Sequence, residues 1–130
     1  MNKEELVRIF KERLEAFLNV LIDQFPSEKD FVILQLGIRG EIIPSEKTLF
    51  NFTKAIIPYK DMVLNKDKEF FLTKCDTVLL SMYSDKLKNK NTNYFKRIWG
   101  SETLTEDDRN NLWKWFKLFL NIAIEYDKQI

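Results

Sequence analysis

TEDDRNNLWKWFKLFLNIAIEY, residues 105–126, is the stretch that decides the fold. Thr105 followed three residues later by Asp108 is a capping-box signature. The acidic run Glu106-Asp107-Asp108 suits the positive end of a helix dipole. At about 100° per residue, Leu112, Trp115, Phe116, Phe119, Ile122 and Ala123 centre one helix face. Lys114, Lys117, Asn121 and Glu125 form a narrow polar stripe opposite. Trp113, Leu120 and Ile124 lie between the two. A helix this apolar must be buried on two sides, or buried on one and bound to a partner on the other. Either way the chain needs other helices to surround it.

The rest of the sequence supplies them. Asn2 with Glu5 three residues on reads as an N-cap, and an amphipathic helix follows to about Gln24. Leu6, Phe10, Leu14, Phe17, Leu18 and Leu21 share its apolar side. Arg13 projects into the apolar arc near Ile9, Phe17 and Val20, and Ile22 falls on the polar side. Phe25-Pro26 ends this helix. Ser27 with Asp30 marks a second start, and the run FVILQLGIRG predicts a buried helix with Gly40 as its left-handed cap. Pro44-Ser45 opens a third helix, which Pro58 ends or kinks. A short piece, YKDMVL, follows. Asn65 to Asp67 then start a helix in which Phe71, Cys75, Val78, Leu79 and Met82 share a face.

Residues 84–93, SDKLKNKNTN, are polar and basic and predict a mobile loop. Tyr94 to Trp99 form a short helix stopped by Gly100. The expectation is an all-α fold, a single compact bundle of five to six helices spanning residues 1–130, with a buried, aromatic-rich C-terminal helix.

Bulk composition limits the functions available. The 130 residues are the size of one domain, and 45% hydrophobic with 32% charged residues is ordinary for a globular protein. A net charge of +1 predicts no bulk attraction to nucleic acid or membranes. No run reaches the roughly 18 apolar residues of a membrane span. The chain has one cysteine, Cys75, which fits a reducing compartment and reads as a small buried hydrophobe.

The chain has no histidine, so the commonest general base and the commonest metal ligand are both missing. Its three glycines make no phosphate-binding loop. Asp61, Asp67 and Glu69 are close in sequence but read as helix-start acids. No catalytic residue, metal site, cofactor or small-molecule substrate is expected.

Two surfaces remain as candidates. Exposed members of the border strip, Trp113, Leu120 and Ile124, with Arg13 of the first helix, are candidate partner-binding residues, because tryptophan and arginine are enriched at binding hot spots. Lys86, Lys88, Lys90, Tyr94, Lys96 and Arg97 are an alternative, a basic patch with an interleaved aromatic of the kind that tracks phosphates and stacks on bases.

The stretches FPSEKDF, IIPYKDMVLNKDKEFFL and IWGSETLTEDDRNNLWKWFKLFLNIA, within residues 25–126, resemble small helical proteins encoded by large DNA viruses of protists. The shared elements are an acidic-Phe-Phe helix start and a tryptophan-rich last helix. The resemblance implies a viral origin, as a virion component or a protein made during infection, located in host cytoplasm or the virion. Usage that leans to Lys, Asn, Ile and Phe, residues with AT-rich codons, agrees with it. The leading expectation is a non-enzymatic interaction or structural protein that buries an apolar helix face against a partner or a second copy. A nucleic-acid-associated protein is the alternative, and a helical mimic of a host regulator is the third reading.

Overall fold

The computed structural model describes residues 1–42, 44–82 and 92–130. Helix α1 runs Lys3–Gln24, α2 Lys29–Arg39 and α3 Ser45–Ile56. A 3-10 turn, Ile57–Tyr59, leads into α4, Lys60–Leu64. A π-helical turn, Phe70–Lys74, continues directly into α5, Cys75–Leu80. The short α6 is Tyr94–Trp99, and α7 is Glu106–Asp127. The described residues contain no strand, so the all-α expectation holds, and the 31–38 run is helical.

Local chemistry explains most of the boundaries. The Asn2 Oδ1 accepts the Glu5 N–H at 2.8 Å, which caps α1. The capping box of α7 is complete: Thr105 Oγ1 accepts the Asp108 N–H at 3.1 Å, and the Asp108 carboxylate accepts the Thr105 N–H at 3.0 Å. The backbone bond from Thr105 is the main reason the Asp108 carboxyl is held below its ordinary range, with Gln24 adding a hydrogen bond.

Two expected caps are corrected. Ser27 does not cap α2; Glu28 occupies that position, without a side-chain cap bond. Gly40 is not left-handed, having φ −79°. The left-handed residue is Glu41, at φ 51°, and it lets the Ile42 N–H reach back to Gly37 O at 3.2 Å. The helix therefore closes one residue later than the glycine suggested.

The π-turn has a visible consequence in the core. An extra residue per turn lets the adjacent Phe70 and Phe71 both lie inside, at 0% and 1% exposure. Phe71 stacks on Trp99 and meets Trp113, Phe95 and Phe116. On the other side of α7, Phe17 of α1 meets Trp115, Phe116 and Phe119, and Phe10 meets Phe52 and Phe119. Helix α7 is thus the axis of a continuous aromatic core, flanked by α1, α3, α4 and the 3-10 turn, with Phe70 and Phe71 of the π-turn against Phe116.

Candidate functional site

Two of the residues expected at a partner surface are inside the fold. Trp113 is buried at 6% exposure and Leu120 at 0%, which corrects the assignment of both to binding. The reason is tertiary. The Trp113 ring lies 4.5 Å from Phe71 and 5.8 Å from Trp99, two rings that the π-turn and α6 bring over the flank of α7. The segment that Pro58 redirects, Ile57–Leu64, runs against the same helix. Ile124 is half-buried against the core. Arg13 is exposed, consistent with a side chain reaching water from the edge of the apolar arc. These four residues do not form one surface.

The basic patch is also drawn into the fold where it is visible. Lys86, Lys88 and Lys90, and most of the expected loop 84–93, lie outside the described residues. Arg97 grips the Glu28 carboxylate through Nη2 at 2.8 and 3.0 Å and packs over the Tyr94 ring. Tyr94 donates its hydroxyl to Asp30, and its ring meets Phe31. Burial and the Asp30 carboxylate push the Tyr94 hydroxyl up to about 12. Lys96 is exposed. From α5, Asp76 accepts the Thr92 hydroxyl and the Tyr94 and Phe95 N–H groups at 2.6, 2.7 and 3.0 Å. Tyr94 and Arg97 therefore serve to fasten α6 to α2, rather than to present a free cationic face.

The carboxylates singled out in the sequence have structural work. Asp67 Oδ1 accepts the Glu69 N–H at 3.0 Å, and Asp61 lies in the first turn of α4. Among the described residues no group of carboxylate and cysteine side chains is placed to hold a metal ion. Cys75 is fully buried, and desolvation, helped by Asp76, pushes its thiol well above the ordinary range. That environment disfavours a thiolate nucleophile.

Two surface features take the place of the expected ones. The first is on α2. Val32, Ile33 and Leu36 are 38%, 60% and 59% exposed, and Ile42, at 79%, lies just beyond the helix end. A Cβ placed on Gly40 would lie 3.9 Å from Ile42 Cγ1, so Ile42 extends the same strip past Leu36. The buried side of α2 carries Phe31, Leu34 and Ile38. Its Gln35 side chain is spent on α1, donating to Glu15 O and Asn19 Oδ1. The signal was in the sequence: FVILQLGI is apolar almost all round, as α7 is. Periodicity shows how apolar the helix is, and Val32, Ile33 and Leu36 nevertheless remain exposed.

The second feature is a cleft of about 630 Å³ between α4 and α7. Val63, Leu64 and Trp113 form its apolar part, and Lys66, Lys114, Lys117, Asn110, Asn111 and Asp107 its polar part. Lys66 reaches it from the turn after α4, where it holds φ 52°. The sequence reading placed Asn65 to Asp67 only as a helix start. They also close α4, through the Asp67 N–H to Met62 O at 2.9 Å. Compared with family models, curated proteins and solved structures, the chain matches none.

Proposed function

We propose that this chain is a non-catalytic protein-interaction protein that pairs with a second copy of itself through the exposed face of α2. The observation that carries the reading is the strip Val32, Ile33, Leu36 and Ile42, apolar side chains that stay exposed while most of the described aromatic residues gather inside. Adjoining exposed aliphatic side chains on one helix favour association. A second copy suits the strip because an aliphatic face can cover itself in an isologous contact. A two-fold antiparallel pairing can set Leu36 of one copy against Ile33 of the other. The strip is short, since eleven residues of helix span about 16 Å, so the dimer is weak and concentration-dependent.

The sealed thiol of Cys75 and the capping roles of the carboxylates support a non-catalytic reading. The resemblance to viral helical proteins supports a virion or infection-stage component working in host cytoplasm. Among the described residues no helix is long and apolar enough to cross a membrane. The nucleic-acid reading ranks lower because Arg97 and Tyr94 already have partners within the chain.

Solution mass across a micromolar to millimolar series tests the proposal. Mass should rise toward that of a dimer, and Leu36→Lys should hold the chain monomeric with unchanged helicity. A wild-type chain that stays monomeric throughout would refute it.

A further inference from the structure

The cleft between α4 and α7 has a charge pattern that the pairing of α2 does not use. Asp107, Asn110, Asn111, Lys114 and Lys117 follow one another up one side of α7, a rise of about 15 Å at 1.5 Å per residue. Leu64, 48% exposed, and Lys66 line the opposite bank, with Val63 and the edge of Trp113 between. Among the described residues no ion pair engages Lys66, Lys114 or Lys117. The lining therefore sets three uncommitted ammonium groups against one carboxylate, along an apolar floor.

We infer that this cleft binds an acidic peptide segment of a partner protein, extended along α7, with an apolar side chain on Leu64. The lysines meet its carboxylates from both banks. The Asn110 and Asn111 carboxamides each offer a donor and an acceptor, the pairing that an extended peptide backbone needs. Asp107 repels a polyphosphate but can accept a peptide N–H. A single-stranded nucleic acid needs aromatic faces to stack on, and the one ring in the cleft, Trp113, is 94% covered by the fold. The cleft is independent of α2, which packs on α1 and α6 instead.

The probe is a fluorescein-labelled decapeptide of repeating Glu-Glu-Leu, followed by fluorescence anisotropy. Binding should weaken with salt. It should also fall roughly tenfold or more in the Lys66→Glu, Lys114→Glu, Lys117→Glu triple variant. The triple Lys→Arg variant and Lys96→Glu should bind as the wild type does. Leu36→Lys should bind too, which separates this result from the fate of the α2 dimer. In amide and indole NMR spectra, the peptide should shift the Asn110 and Asn111 side-chain signals and the Trp113 indole. Equal affinity in the triple Glu variant, shifts confined to other surfaces, or tighter binding of an oligothymidine of equal charge would each overturn the inference.

Discussion

At the scale of single residues, the chain places side chains where glycine is the easier choice. Glu41 and Lys66 both hold left-handed backbone, at φ 51° and 52°. That region costs a residue with a Cβ roughly 1–2 kcal/mol. Glu41 has compensation: it accepts hydrogen bonds from Lys11 at 3.0 Å and from Ser45 at 2.9 Å, which hold its carboxyl below its usual range. Lys66 has no ion pair among the described residues. Lys66→Gly should therefore raise stability by about 0.5–1 kcal/mol in urea unfolding, relief of strain outweighing the entropy that glycine adds to the unfolded chain. A loss of stability would mean that Lys66 is held by contacts the backbone does not reveal. Neither position was legible in the sequence. A left-handed residue is set by where a helix closes, and Gly40 pointed one residue short.

At the scale of elements, α6 is the least self-sufficient part of the described chain. Six residues make little more than one helical turn, too short to be stable alone. Its N-terminal N–H groups are met by the Asp76 carboxylate of α5, not by a cap of its own. Asp76→Ala should cost about 1–3 kcal/mol, because it leaves partly buried donors without an acceptor. In hydrogen exchange, the protection lost should concentrate in residues 94–99. Uniform loss across all helices would show that Asp76 supports the core generally. The long helices behave differently. Asn2 and the Thr105–Asp108 box cap α1 and α7 through neighbours three residues away, so both starts were readable from the chain. Asp76 lies 18 residues from Tyr94, and no local pattern links the two.

At the scale of the whole molecule, α6 is tied to the start of α2 by Tyr94 to Asp30 and by Arg97 to Glu28. The Tyr94 hydroxyl is raised to about 12, so the folded chain keeps a proton that the unfolded chain gives up near pH 10. The stabilisation this represents is complete below pH ~10 and is lost as pH rises toward 12. The melting temperature should fall between pH ~10 and ~12, and Tyr94→Phe should flatten part of that fall. An identical alkaline slope in the variant would assign the titration elsewhere. The sequence by itself determined the helices, their apolar faces and the aromatic character of the core, because these follow from periodicity and from hydrogen bonds over three or four residues. Only the tertiary structure decided which apolar faces meet water. Trp113 and Leu120 looked exposed on the wheel and are buried, while Val32, Ile33 and Leu36 looked buried and are exposed. The wheel reports how much of a helix is apolar. Whether a face is covered depends on elements distant in the chain, here Phe71 and Trp99 closing over α7 while Val32 and Leu36 of α2 stay exposed.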